Sequence, residues 1–161
     1  FSGGRFNLGI SAGAGEFLKW IDLKSDKPLT AVKESIRAIN ALLSGETAEM
    51  DGSFLRWCSE AYLRFPAKRV PVYIGALSPN MLRAVGEMAD GGLPLLFPPE
   101  HYETVMPYIR EGAQSAGRSL DEIDVAACIW CSIGEDYEAA ADVLRAKIAY
   151  YGHALSPLIL E

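Results

Sequence analysis

Apolar Leu29, Val32, Ile36, Ile39, Leu42 and Leu43 recur at helical spacing between Pro28 and Ser44 and predict an amphipathic helix. Asp26 is placed to cap it, Pro28 suits its first turn, and Gly45 ends it. Upstream, Arg5 to Ile10 reads as a short strand that runs into the Gly-rich stretch Ser11-Ala12-Gly13-Ala14-Gly15. Downstream, Val70 to Gly75 is apolar at most positions, which predicts a strand buried on both faces. Ser78 is a good N-cap and Pro79 fits the first helical position, ahead of an apolar stripe of Met81, Leu82, Val85 and Met88. Asp90-Gly91-Gly92 predicts a turn into a strand from Leu93 to Phe97. A helix from Glu100 to Ala116 follows, carrying Val105, Tyr108, Ile109 and Ala113. An apolar strand from Ile123 to Ile133 and a helix from Asp136 to Tyr151, ended by Gly152, complete the pattern. Residues 46–70 interrupt it, with an Asp51-Gly52 turn and scattered aromatics that read as an irregular excursion.

The order is β-α-β-α-β-α-β-α, for which parallel strands with crossover helices are the natural architecture. A four-stranded open sheet satisfies it. So does half of an eight-stranded β/α barrel, a fold of about 250 residues. Length admits one domain: 161 residues, half of them hydrophobic and 22% charged, exclude wholesale disorder. Fifteen Lys and Arg against 21 Asp and Glu give a net charge of −6, which argues against nucleic acid as a partner. No uncharged apolar run approaches the roughly 20 residues of a membrane span. Three Cys cannot all pair within one chain and suit a reducing, cytoplasmic setting. The chain opens at Phe1 without Met and closes on apolar Leu158-Ile159-Leu160-Glu161, so a piece of a longer polypeptide is expected, or termini tucked into a partner.

In either architecture ligands bind at the carboxyl ends of the strands. At Ser11–Gly15, small residues let the backbone approach a ligand closely, although a plain βα turn has the same composition. At Tyr73-Ile74-Gly75-Ala76-Leu77-Ser78-Pro79 a buried strand runs through small residues into a helix N-terminus. Free N–H groups and the positive end of the helix dipole suit an anion there without any basic residue. Ser78 either offers its hydroxyl to a phosphate or caps the helix, the commoner role. Cys128 and Cys131 have CxxC spacing, but within a strand they point to opposite faces, so burial outweighs metal or redox chemistry. His101 and His153 read as packing or surface residues, Asp90 as a turn residue, and Glu16 as a solvated helix start. Phe54, Trp57, Tyr62 and Phe65 are candidates for a pocket rim, with packing against the barrel the simpler role.

Three motifs carry a family resemblance. Ser2 to Gly13 resembles the "GGR-x-x-LGIGAG" strand and loop of luciferase-like flavin and deazaflavin oxidoreductases, with Ser11 where many relatives have Gly. Leu42-Leu43-Ser44-Gly45-Glu46 matches their "LL-x-GE" segment. Val70 to Leu82, continuing through Gly86-Glu87-Met88-Ala89-Asp90-Gly91, resembles "PVYIGA-x-x-P-x-ML…GE-x-ADG". The last is especially similar to the coenzyme F420-dependent branch that includes methylenetetrahydromethanopterin reductases. Gly112 to Ile123 continues the likeness.

The resemblance implies a TIM-type (β/α)8 barrel of which this chain, 1–161 as a single partial barrel domain, supplies about strands 4 to 7. It implies that Gly75, Ala76, Leu77 and Ser78 hold the cofactor phosphate and that Gly13 lines the cofactor end. It further implies hydride transfer between C5 of F420 and a small-molecule substrate, in an enzyme for which a homodimer is plausible. An FMN-dependent luciferase-like monooxygenase is the alternative cofactor reading. A non-catalytic half-barrel that binds a cofactor or partner through exposed sheet edges is the alternative of another class. The proton-handling residues of many relatives lie on earlier strands, so no catalytic residue is assigned here.

Overall fold

The computed structural model of the chain describes residues 2–23, 26–65, 67–94 and 99–152. In chain order the elements are β1 (Leu8–Ile10), α1 (Gly15–Trp20), α2 (Pro28–Ser44), β2 (Met50–Asp51), β3 (Arg56–Trp57), β4 (Val72–Ala76), α3 (Pro79–Met88), β5 (Gly91–Pro94), α4 (Tyr102–Ser115), β6 (Asp124–Val125) and α5 (Tyr137–Tyr151). Four strands lie side by side in the order β1-β4-β5-β6. All three neighbouring pairs are parallel, with Ile10 beside Ile74, Gly75 beside Leu93 and Gly92 beside Val125. Strands adjacent in this sheet are successive βα units in sequence, as in a barrel wall.

One face of the sheet carries the helices. Val72, Ile74 and Ala76 of β4 are buried in one cluster with Val32 and Ile36 of α2, Leu82 and Val85 of α3, and Val105, Ile109 and Ala113 of α4. These are the residues of the three apolar stripes, so helical period and strand alternation meet at a shared core. The helix pair α3–α4 is in backbone contact: a Cβ on Gly86 would stand 2.5 Å from the Ala113 nitrogen, and one on Gly112 would stand 2.7 Å from the Arg83 carbonyl carbon. None of the residues of α5 is buried.

Several boundaries differ from the expected ones, each for a local reason. The Gly-rich loop after β1 is shorter than its composition suggests, because Glu16 to Trp20 are ordinary helix formers and wind into α1. The rings of Phe17 and Trp20 meet there at 4.7 Å, one helical turn apart. Asp26 does not cap α2: Lys27 occupies the N-cap position without a side-chain cap, while Gly45 ends the helix in the left-handed conformation at φ +82°. Asp136 does cap α5, accepting the Glu138 and Ala139 N–H groups at 2.9 and 3.2 Å. Within 46–70 a short antiparallel pair forms, with Met50 opposite Trp57 and Asp51 opposite Arg56.

The largest correction concerns Asp90-Gly91-Gly92. The two glycines open β5 rather than form a turn, and Leu95 to Phe97 lie outside the described residues. Asp90 ties β4 to this entry: its N–H donates to the Val72 carbonyl, its carboxylate accepts the Val72 N–H, both at 2.9 Å, and Arg69 pairs with the same carboxylate. The strand expected over 123–133 is regular only at Asp124–Val125, followed by the Ala126 N–H on the Gly92 carbonyl at 2.9 Å. Among the described residues β6 pairs only with β5, and the alternation downstream stands largely in solvent, Ile129 and Ile133 included.

Candidate functional site

The strand ends bring the two Gly-rich segments together. Because Ile10 lies beside Ile74, Ser11 stands next to Gly75. A Cβ on Gly75 would sit 3.1 Å from the Ser11 Cβ, closer than side chains comfortably pack. Gly75 therefore keeps the end of β4 clear beside the β1 loop. Gly13, two residues beyond Ser11, adopts φ +72°, where a side chain is strained, and its N–H donates to the Ser11 hydroxyl at 3.4 Å.

From Gly75 the chain passes directly into α3. Ala76 is buried, and Leu77 packs its side chain against the core, so these two present backbone rather than side chain. Ser78 occupies the N-cap position in extended conformation and is exposed, yet its hydroxyl makes no cap hydrogen bond. The first N–H to bond within the helix is that of Leu82, to the Ser78 carbonyl at 2.9 Å. Pro79 has no donor, so the Asn80 and Met81 N–H groups precede that bond at the positive end of the helix dipole. Gly13, Gly75 and Ser78 thus lie on adjacent strand ends at one edge of the sheet. The chemistry on offer is backbone donors and a hydroxyl rather than cations.

The sheet face away from the helices carries a polar bridge that sequence reasoning missed. Tyr73, Gly91 and Asp124 share one register row across β4, β5 and β6. The Tyr73 ring lies over Gly91, and its hydroxyl donates to the Asp124 carboxylate at 2.6 Å. That hydrogen bond, aided by partial burial, raises the Tyr73 phenol above its ordinary pKa of 10.0. The only sequence signal is a glycine pair where a strand was not expected.

Cys58, Cys128 and Cys131 are free thiols, and no group of three or more His, Cys, Asp or Glu among the described residues could hold a metal ion. His101 is the residue preceding α4, His153 lies outside the described residues, and only the backbone of Glu16 is described, in α1. Trp57 and Tyr62 line an open cleft of about 480 Å3 together with Leu42, Arg56, Cys58, Glu60, Ala61 and Leu63, while Phe54 and Phe65 are exposed. Leu42 is about 20 Å along α2 from Pro28, whose end of the helix follows β1, so this cleft is remote from the Gly13 and Ser78 edge.

Tyr102, in the first turn of α4, buries its hydroxyl without a hydrogen-bond partner among the described residues. Burial, with a contribution from neighbouring Cys128, raises its pKa. An unsatisfied buried hydroxyl is costly, so Tyr102→Phe is expected to raise stability by about 1 kcal/mol in urea denaturation. A loss of that size would instead reveal a partner for the hydroxyl.

A parallel sheet laid out in chain order, with helices on one face, forms part of a TIM-type (β/α)8 barrel. The chain belongs to the luciferase-like monooxygenase family, whose profile matches residues 1–158. It is 36% identical over 160 residues to 5,10-methylenetetrahydromethanopterin reductase of Methanolobus tindarius, covering 99% of this chain and 49% of that protein. To F420-dependent glucose-6-phosphate dehydrogenase of Nakamurella multipartita it is 33% identical over 149 residues, covering 88% and 43%. The solved structure of coenzyme F420-dependent tetrahydromethanopterin reductase from Methanopyrus kandleri superposes with a TM-score of 0.82 at 31% identity, over 92% of this chain and 48% of that one. The chain therefore spans about half the length of the relatives it matches. No helix among the described residues is long and apolar enough to cross a membrane.

Proposed function

We propose that this chain forms the cofactor-holding part of a coenzyme F420-dependent oxidoreductase that acts on a small organic substrate. The observation that carries this reading is the β4–α3 junction, where Gly75 keeps the strand end open beside Ser11 and an exposed, uncapped Ser78 opens the helix. In it, Ser78 and the Asn80 and Met81 N–H groups hold the cofactor phosphate, Gly75 and Gly13 allow close backbone approach, and Ala76 and Leu77 fix the junction against the core. When bound, the deazaflavin gives or takes a hydride at C5. Relatives named as F420-dependent enzymes or as methylenetetrahydromethanopterin reductases support F420 over FMN. Free cysteines suit a reducing cytoplasm.

Fluorescence titration of the full-length protein with F420 tests the reading. Saturable binding is expected, and Ser78→Ala should weaken it about tenfold, the loss of one hydrogen bond to a charged group. The same substitution should change stability by less than about 0.5 kcal/mol, because a hydroxyl that caps nothing forfeits the usual N-cap penalty. Wild-type affinity in Ser78→Ala would remove Ser78 from the phosphate site. Preference for FMN, with oxygen uptake by the reduced flavin, would replace the cofactor assignment.

A further inference from the structure

We infer that Glu34 is an acid-released latch: its carboxylate, presented by α2, holds the tip of the β2–β3 hairpin against the helix, and protonation frees the hairpin while the parallel sheet stays folded. Glu34 is the one buried charged residue among the described residues, 6% exposed. One carboxylate oxygen accepts the Ser53 N–H at 2.8 Å, and the other accepts those of Phe54 and Leu55 at 2.9 and 3.0 Å. The three donors are consecutive amides of the turn, which the Gly52 N–H closes onto the Leu55 carbonyl at 2.8 Å. Gly52 is required for this seat, since a Cβ there would overlap the Glu34 carboxylate. The turn is an anion nest filled by the protein's own side chain.

The hairpin depends on that anchor. Its ladder consists of Met50 with Trp57 and Asp51 with Arg56, continued by the Ala48 N–H on the Ala61 carbonyl at 2.8 Å, too little for a two-stranded unit to persist alone in water. A proton on the carboxyl would turn one acceptor oxygen into a donor facing backbone N–H groups. The Phe54, Leu55 and Ser53 N–H groups, in that order, hold the Glu34 pKa below its ordinary 4.5, with Arg37 adding a smaller favourable charge. Asp51, beside Gly52 in sequence, pairs with Arg56 across the hairpin at 3.7 Å, and Lys33, beside Glu34 in sequence, pairs with Glu87 of α3. A depressed folded-state pKa means the latch contributes fully above pH 4.5 and is lost as pH falls through the lower folded value. Arg56 and Trp57 of β3 form one wall of the cleft and Leu42 of α2 another, so release opens it.

Amide hydrogen exchange on the full chain tests it, using protection factors corrected for intrinsic rates. Protection at Ser53, Phe54 and Leu55 should hold from neutral pH to about 4.5 and then fall, ahead of the core amides of Leu82 and Ile109. Glu34→Gln at neutral pH should lower protection within this turn on the order of tenfold or more and leave the core amides unchanged. Glu34→Asp, too short to reach from a fixed helix, should release the turn although it keeps the charge. Gly52→Ala should do the same with Glu34 intact, and with the wild-type pH series keeps the test decisive should Glu34→Gln fail to fold. Wild-type protection in both Glu34→Gln and Gly52→Ala would overturn the latch. So would an unchanged acid transition of the turn in Glu34→Gln.

Discussion

Gly112→Ala is expected to destabilise the chain by about 3 kcal/mol, although the same exchange in an open helix stabilises by about 1 kcal/mol. Gly112 lies inside α4 at the point where its backbone meets that of α3. A methyl group there would stand 2.7 Å from the Arg83 carbonyl carbon and closer still to its oxygen. Backbone atoms on a packed helix cannot step aside as a flexible side chain can, so the two helices must separate. Separation would loosen Ile109 and Val105 from Leu82 and Val85, all of them buried in one cluster. Gly86→Ala, on the facing helix, should cost a similar amount, because its Cβ would stand 2.5 Å from the Ala113 nitrogen. The measurement is the urea midpoint of each variant with its slope held constant. A midpoint at or above that of the wild type would show that the helices can slide apart freely.

Gly91→Ala is expected to cost about 2 kcal/mol or more and to break the Tyr73–Asp124 bridge. A Cβ at Gly91 would run into the Tyr73 ring and stand 2.5 Å from the Asp124 carbonyl oxygen on the neighbouring strand. The ring can swing away only by surrendering its 2.6 Å hydrogen bond to the Asp124 carboxylate. Tyr73→Phe separates the two contributions, since it deletes the bond without crowding and should cost only about 1 kcal/mol. Tyrosine absorbance reports the bridge directly. The Tyr73 phenol, held above 10.0 in the wild type, should return toward that value in Asp124→Asn. If Gly91→Ala were as stable as the wild type, the close approach of β4, β5 and β6 would be looser than the register implies.

Both expectations rest on glycines whose meaning the sequence alone misassigns or leaves open. Asp90-Gly91-Gly92 is legible as punctuation, because glycine breaks regular structure on average. Here the pair lies within a strand, Gly91 beneath a tyrosine from β4 and Gly92 with its Cβ position 2.7 Å from Val85 of α3. Gly112 and Gly86 lie inside helical segments, where sequence marks them as motif residues but not as contact points between helices. The strand ends fared better: the run from Gly75 to Ser78 is recognisable as strand meeting helix. What could not be read is that Ser11 stands against Gly75, or that the Ser78 hydroxyl leaves the cap unmade.

The sequence by itself determined the alternation of sheet strands and crossover helices, without α1 and the β2–β3 hairpin, the span of α2 from Pro28 to its Gly45 stop, and the family motifs. These are local properties, since periodicity, capping and turn chemistry act within one or two turns of chain. Tertiary structure alone decided which glycines are spacers, where the strand at 123–133 stops pairing, and which carboxylate anchors the hairpin. Glu34 meets its amide partners 19 to 21 residues away, and Tyr73 reaches Asp124 across 51. Such contacts exist only after helices and strands have packed, because packing density and not chain proximity chooses which groups touch.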